Sequence, residues 1–156
     1  MTPRLARPDE AAALWRIRNL AIRHGCQAVY PADVIAAWTP DALPEGYFEA
    51  IRGNPFFVVE DPLHGVAATG FLDLANGSVE AIFTLPSCHG KGYASAIMQA
   101  IVQEARQRGF RQLTLAATPN AWAFYLRHGF SVVKESLYHS ALAGAALPCV
   151  EMKYDL

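Results

Sequence analysis

Three short β-rich runs follow one another in the middle of the chain, and this feature restricts the possible folds most. Phe56–Glu60, Val66–Leu74 and Ser78–Leu85 are rich in β-branched and aromatic residues, and the turn-forming segments DPLHG and ANG separate them. Connections this short join antiparallel neighbours. We therefore predict a meander of three antiparallel strands.

The segment after this meander has the pattern of an amphipathic helix. Gly109 stands where a helix C-terminal cap belongs. The apolar residues ahead of it recur at helical spacing: Ala94, Ile97, Met98, Ile101, Val102 and Ala105. We predict a helix that begins directly after the glycine-containing stretch HGKGY.

The remaining segments extend the pattern on both sides. Asp9 is a candidate cap for a first helix that lasts until Gly25, and the prolines within 30–53 indicate one or two short helices. The later segments read as a strand QLTLAA, a helix PNAWAFYLRH ended by Gly129, and two strands FSVVKESLYH and LPCVEMKY. With a short strand at RLARP, the predicted order is β-α-α-β-β-β-α-β-α-β-β.

Length and composition narrow the functional classes. The 156 residues fit one domain over 1–156, and 13 basic against 14 acidic residues provide no field that would recruit nucleic acid or an anionic membrane. The three cysteines and five histidines lack metal-ligand spacing, so we expect reduced thiols and no metal. Without a signal-peptide pattern or an apolar run of about 18 residues, we expect a cytoplasmic protein.

The stretch HGKGY lies between a strand and a helix, where backbone N–H groups lack partners. Gly90 and Gly92 would let a ligand approach the backbone, and the helix dipole favours a phosphate or pyrophosphate there. The nucleotide-triphosphate loop is excluded because Gly92 follows Lys91, where that loop needs Ser or Thr. The dinucleotide fingerprint fits poorly because Ser95 stands where it has Gly or Ala. A purely structural turn is the alternative.

Three motifs of the second half together resemble the GNAT superfamily of acyl-CoA-dependent N-acetyltransferases, over about Phe56 to Tyr154. They are HGKGYA, the asparagine of TPNAWAFY and the tyrosine of AFYLRHGF. In that family a loop [QR]-x-x-G-x-[GA] wraps the coenzyme A pyrophosphate, and here His89 occupies its first position. The resemblance implies an α/β (α+β) fold, with a mixed, mostly antiparallel sheet of about six or seven strands and about four flanking helices.

The resemblance also implies a reaction, the transfer of an acetyl group from acetyl-CoA to an amine by direct attack in a ternary complex, without a metal. Acetyl-CoA would bind between the strands VEAIFTL and QLTLAA. The expected cosubstrate-binding residues are Phe83, Thr84, Leu85, His89, Gly90, Lys91, Gly92, Tyr93, Ala94, Ser95, Asn120 and Phe124.

Two residues are candidate catalysts. Glu80, a carboxylate in an apolar strand, would have a raised pKa suited to a general base, and a solvated or salt-bridged position is the alternative. Tyr125 would protonate the departing thiolate, and a core aromatic is the alternative. Cys88 has no visible base or orienting group in the sequence, so a covalent acyl-enzyme is disfavoured.

The acceptor is a small-molecule or peptide amine that the sequence does not identify. The aromatic residues before the meander either line its pocket or pack between helices: Trp15, Tyr30, Trp38, Tyr47 and Phe48. The oligomeric state is open, with a homodimer as one option. A non-catalytic module that binds or senses acyl-CoA is the alternative function.

Overall fold

The computed structural model describes residues 2–156 and contains seven strands and five α-helices. The strands are β1 (Arg4–Leu5), β2 (Phe56–Asp61), β3 (Gly65–Asp73), β4 (Ser78–Thr84), β5 (Gln112–Ala117), β6 (Ser131–Ser140) and β7 (Ala145–Asp155). The helices are α1 (Ala11–Gly25), α2 (Ala32–Trp38), α3 (Tyr47–Gly53), α4 (Tyr93–Gln107) and α5 (Trp122–Arg127). Within this part of the chain, no helix is long and apolar enough to cross a membrane.

All seven strands form one sheet in the order β1-β2-β3-β4-β5-β7-β6. Every neighbouring pair is antiparallel except β4 and β5, which are parallel. The predicted meander is confirmed as β2, β3 and β4, and the mixed, mostly antiparallel sheet is confirmed as well. A parallel pair needs a long crossover, which α4 supplies between its two strands.

Helices cover the sheet on both faces. Gly70 lies directly against α4, since a Cβ built on it would lie 2.7 Å from Cγ2 of Ile97 in that helix. Its neighbour Phe71 packs in the cluster that contains Leu14 of α1. Successive residues of a strand point to opposite faces, so α4 and α1 enclose the sheet between them.

Two predicted details are wrong at the ends of helices. Asp9 does not cap α1, because Pro8–Glu10 forms a 3₁₀ turn and the Glu10 carboxylate accepts the Arg7 N–H at 2.9 Å instead. Helix α5 begins at Trp122, three residues later than Pro119, where the pattern begins. Ala121 N–H bonds to Thr118 O at 2.9 Å, so a separate turn precedes the helix.

Strands β4 and β5 separate soon after they meet. Their register has a single pair, Ser78 opposite Thr114. Beyond it β4 bulges, because Gly70 of β3 faces both Ala81 and Ile82, and Ala81 has a left-handed φ of 55°. The β4 edge that faces β5 is therefore unpaired from the bulge to Thr84.

Candidate active site

A glycine turn connects β4 to α4 beside this separation. Gly90 and Gly92 have φ of 81° and 80°, and a Cβ on either would meet no atom within 4 Å. The first backbone bond of the helix joins Ala96 N–H to Gly92 O at 3.1 Å, so the amides ahead of it have no helical partner. The turn thus has free donors and open space where an anion would approach.

The buried carboxylate of Asp61 holds this turn in place. Asp61 Oδ2 accepts hydrogen bonds from Lys91 Nζ at 2.8 Å and from the Tyr93 hydroxyl at 2.7 Å. Its Oδ1 accepts from His64 Nδ1 at 3.0 Å, and its side chain is 1% exposed. These donors, Lys91 first, hold the pKa of Asp61 well below its usual range. Sequence reasoning missed Asp61, because nothing in the spacing links it to a residue 30 positions away.

Cys88 lies beside this anchor. Its Sγ is 3.6 Å from His64 Nδ1, and Asp61, His64 and Cys88 form a group of potential metal ligands within 4.8 Å of one another. Both Asp61 oxygens already accept hydrogen bonds from protein side chains. The carboxylate therefore serves to hold the glycine turn in place. Cys88 therefore does have an imidazole neighbour, which the spacing did not indicate, yet the residue is 1% exposed.

A cleft of about 540 Å³ joins the glycine turn to the gap between β4 and β5. The end of α1 and the residues that lead into α5 complete its walls. It brings together eleven of the expected site residues: Phe83, Thr84, His89, Gly90, Gly92, Tyr93, Ala94, Ser95, Asn120, Phe124 and Tyr125. Leu85, Lys91 and Glu80 are not in its lining: Leu85 is buried in the core, and Lys91 turns to Asp61.

Glu80 lies one residue before the bulge and is half-buried. Burial raises the pKa of its carboxyl, and the Ser78 hydroxyl, which donates to Glu80 Oε1 at 2.9 Å, partly offsets that rise. The charge of Asp73 raises the pKa of Glu80 further. A carboxylate with a raised pKa holds a proton more readily near neutral pH.

Tyr125 lies across the cleft on α5. Burial, and secondarily the negative charge of Glu80, raise the pKa of its phenol, so the hydroxyl stays protonated at neutral pH. Its ring meets Phe124 and Phe130 edge-on at centroid distances of 5.2 and 5.9 Å. The two candidate catalysts are thus electrostatically coupled across the gap.

Ser95, in the first turn of α4, and His128, which follows α5, form a hydrogen-bonded pair that sequence reasoning missed. His128 Nδ1 is 2.8 Å from Phe124 O, and its Nε2 is 3.0 Å from Ser95 Oγ. A carbonyl only accepts, so Nδ1 carries the proton and, in neutral His128, the Ser95 hydroxyl donates to Nε2. This pair joins α4 to α5 beside the glycine turn.

Asn120 belongs to the turn before α5 and is exposed. Its Oδ1 is 3.5 Å from Cys26 Sγ at the end of α1, and its Nδ2 is 3.0 Å from the position of a Cβ on Gly25. The residue therefore closes one side of the cleft against α1.

The aromatic residues before the meander pack mostly against one another. Trp15 and Tyr30 are each 5% exposed, and they meet Tyr47 and Trp38 edge-on at 5.3 and 5.8 Å. Phe48 is 44% exposed and lies outside this packing. Trp15 Nε1 donates to Pro40 O and the Tyr30 hydroxyl donates to Pro148 O, both at 2.7 Å. Most of this group therefore fixes the helical layer.

Residues 14–130 match the model of the acetyltransferase (GNAT) family. No curated protein sequence matches the chain significantly. Several solved structures share its fold. A GCN5-related N-acetyltransferase from Rhodopseudomonas palustris aligns with a TM-score of 0.89 at 20% identity, covering 99% of this chain and 95% of the other.

Two further structures contain bound cosubstrate. PaiA N-acetyltransferase from Thermoplasma acidophilum, in complex with coenzyme A, has a TM-score of 0.77 at 13% identity, covering 99% and 98% of the two chains. A phosphinothricin acetyltransferase from Sinorhizobium meliloti, in complex with acetyl-CoA, has a TM-score of 0.72 at 22% identity, covering 99% of this chain and 88% of the other. At these identities the likeness concerns the fold.

Proposed function

Because this chain belongs to the GNAT acetyltransferase family and is an acyltransferase, we propose that it transfers the acetyl group of acetyl-CoA to the amine of a small molecule or peptide. The observation that carries this proposal is the unpaired edge of β4 from Ala81 to Thr84, which lines one cleft with the glycine turn and begins one residue after Glu80. Transfer is direct: the amine nitrogen bonds to the carbonyl carbon, the C–S bond breaks, and coenzyme A leaves as a thiolate that takes up a proton.

The cleft suits the two parts of the cosubstrate. The open amides at Gly90, Gly92 and the start of α4 would bind the pyrophosphate, with the Ser95 hydroxyl and His89 at the rim. The extended pantetheine arm has amide groups that suit the free backbone edge between Ala81 and Thr84, and Asn120 and Phe124 would line its other side. The coenzymes bound by PaiA and the phosphinothricin acetyltransferase support this assignment.

Glu80 would serve as the base, directly or through water. An amine such as that of lysine has a pKa of about 10.4 and attacks only after it loses a proton. The raised pKa of Glu80 brings its affinity for that proton closer to what neutral pH requires.

Tyr125 would donate the proton to the thiolate. The raised pKa keeps the phenol protonated in the resting site. A thiol has an ordinary pKa of about 8.5, below that of a phenol, so Tyr125 would stabilise the developing thiolate as a positioned hydrogen-bond donor and pass on its proton only as the C–S bond breaks. Direct transfer needs no cysteine as an acyl carrier, and the two thiols that line the cleft, Cys88 and Cys26, are only 1% and 3% exposed.

A direct test follows the release of free thiol from acetyl-CoA over a broad panel of amines. We expect turnover with at least one amine, rising with pH as Glu80 loses its proton. Glu80→Gln should lower kcat by about 10²–10⁴ and remove the part of that rise that Glu80 causes, because the variant has no base there. The ionisation of the amine itself leaves a rise at higher pH.

The control is Glu135→Gln, an exposed carboxylate on β6 that should leave the rate unchanged. Coenzyme-dependent stabilisation without thiol release on any amine would contradict the proposal and favour an acyl-CoA-sensing module.

A further inference from the structure

Arg18 is a half-buried cation without a carboxylate partner in residues 2–156. Its Nη1 donates to Asn19 Oδ1 at 2.8 Å and to Trp38 O at 2.9 Å. Within residues 2–156, its Nε and Nη2 have no acceptor at hydrogen-bond distance and no Asp or Glu forms an ion pair with it. Nε and Nη2 form the side of the guanidinium that binds a carboxylate with two parallel bonds.

Its surroundings are aromatic. The guanidinium carbon lies 4.2 Å from the centroid of the Trp15 ring and 5.5 Å from that of Trp38. Burial lowers the pKa of Arg18 to about 10, so the group is still charged at neutral pH, and the phenols of Tyr47 and Tyr138 are the titratable groups that act on it. The charge is thus held in an environment where an anion would bind more strongly than in water.

The other arginines are either paired with a carboxylate or exposed to solvent. Five of them form ion pairs with carboxylates: Arg4, Arg7, Arg23, Arg52 and Arg108. The four remaining ones, without such pairs in the described residues, are all exposed: Arg16, Arg106, Arg111 and Arg127. Among the arginines of residues 2–156, Arg18 alone combines partial burial with a free Nε–Nη2 edge. A charge that is taken out of water is costly unless it is paired.

The position of Arg18 along α1 relates it to the reacting groups. Leu14, Arg18 and Ile22 are spaced by four and lie on one stripe of the helix. Leu14 packs in the cluster with Phe71, whose register partner on β4 is Glu80. Ile22 packs in the cluster that Phe83 joins, and it also lines the cleft. Arg18 therefore lies on α1 between the levels of Glu80 and Phe83.

We propose that Arg18 binds the carboxylate of the acceptor through Nε and Nη2, so that the preferred substrates are amines that also carry a carboxylate, namely amino acids or short peptides. The aromatic rings of Trp15 and Trp38 hold the guanidinium plane in place. This inference rests on the proposed acetyl transfer and names its substrate class.

The experiment compares common amino acids with their carboxamides as acceptors, by thiol release from acetyl-CoA. For the wild type we expect a KM for the best amino acid about 10- to 100-fold below that for its amide, as charge-assisted hydrogen bonds provide. Arg18→Met should raise the KM of the acid by a similar factor and leave the amide unchanged. Arg18→Lys, which keeps the charge and loses the fork, should fall between them.

Arg16→Met is the matched control, because Arg16 is exposed, unpaired and on the same helix. The affinity of each variant for acetyl-CoA, measured by calorimetry, should stay that of the wild type. Thermal stabilisation by the same acids and amides, with coenzyme A present, reads out binding without turnover.

Equal KM and equal stabilisation for acid and amide would overturn the inference while acetyl transfer stands. If Arg18→Met raised the KM of the acid and of the amide by the same factor, Arg18 would have only a packing role. If acetyl-CoA released no thiol with any amine, the proposed transfer would fail. Thermal stabilisation by amino acids but not by their carboxamides would still decide whether Arg18 binds a carboxylate.

Discussion

Tyr125 illustrates how the fold changes the chemistry of a single residue. In water a phenol has a pKa of about 10, and here burial and then the charge of Glu80 raise it. The result is a group that does not ionise in the resting site. The hydroxyl is therefore present as a donor that can hydrogen-bond to the departing thiolate, and it cannot act as a base.

The substitution Tyr125→Phe keeps the ring and removes the proton. We expect kcat with a good acceptor to fall by about 10²–10⁴ while the affinity for acetyl-CoA stays nearly constant, because the lost contact forms only as the thiolate leaves. Steady-state kinetics and calorimetry together measure this.

Tyr154→Phe is the control. Tyr154 meets Phe130 edge-on at 5.3 Å, much as Tyr125 does at 5.9 Å, and it is absent from the lining of the cleft. Near-normal turnover in both variants would make Tyr125 a packing residue.

The glycine turn is the element that converts a strand end into an anion site. Its function depends on two left-handed residues and on the anchor that Asp61 provides from the β2–β3 hairpin. The helix contributes free N–H groups because none of residues 2–156 fills the space above Gly90 and Gly92.

Gly92→Ala tests this element. A Cβ at φ of 80° strains the turn by roughly 1–2 kcal/mol and also enters the open space above it. We expect the Kd for acetyl-CoA to rise by about tenfold or more, since at least one charge-assisted bond to the pyrophosphate would be lost. Isothermal calorimetry gives the Kd.

Gly46→Ala separates strain from ligand contact. Gly46 has φ of 86°, stands before the first residue of α3 as Gly92 does before α4, and also has no atom within 4 Å of a Cβ. Both variants should lose similar stability, and Gly46→Ala should bind acetyl-CoA normally. Equal affinities in the two variants would remove the turn from the site.

At the scale of the whole molecule, two buried carboxylates connect distant segments and make stability depend on pH. Glu10 binds Arg4 through two hydrogen bonds of 2.9 and 2.8 Å, and these lower its pKa to about 2. The pKa of Asp61 is lowered by Lys91, Tyr93 and His64. Glu80 has the opposite shift, so its ionised form opposes folding at neutral pH.

We expect the free energy of unfolding to rise slightly as the pH falls from about 7 to about 5, because Glu80 takes up a proton more readily in the folded state, and then to fall as the pH drops from about 5 to about 2. A carboxyl whose pKa is lower in the folded state stabilises the protein above its unfolded pKa of about 4, and this contribution is lost on protonation. Urea denaturation at a series of pH values measures the curve.

Asp61→Asn should lower the free energy of unfolding at pH 7. It should also make the fall of that free energy between about pH 5 and about pH 2 (the acid limb of the curve) less steep, because the variant has no proton to gain at this position. Glu45→Gln, at an exposed position, is the control and should keep the wild-type curve. An unchanged acid limb in Asp61→Asn would show that the anchor contributes nothing to the pH dependence.

Local patterns determined most of the secondary structure and the family. The apolar spacing of α4, the bounds of β5 and the order of the three-strand meander are properties of segments shorter than about 20 residues, where period and turn chemistry decide. The motif HGKGYA and the asparagine and tyrosine that follow it were sufficient to indicate the acetyltransferase resemblance. The single-domain organisation, the cytoplasmic location and the absence of a metal stay predictions.

Only the tertiary structure decided which residues meet. Tertiary packing brings Asp61 to Lys91 and Ser95 to His128. The packing of α1 on the sheet places the stripe that contains Arg18 between the levels of Glu80 and Phe83. Such contacts join residues that are tens of positions apart, and sequence spacing has no period at that distance. The fold-specifying patterns are local because hydrogen bonding within an element is local, whereas the site is assembled by packing between elements.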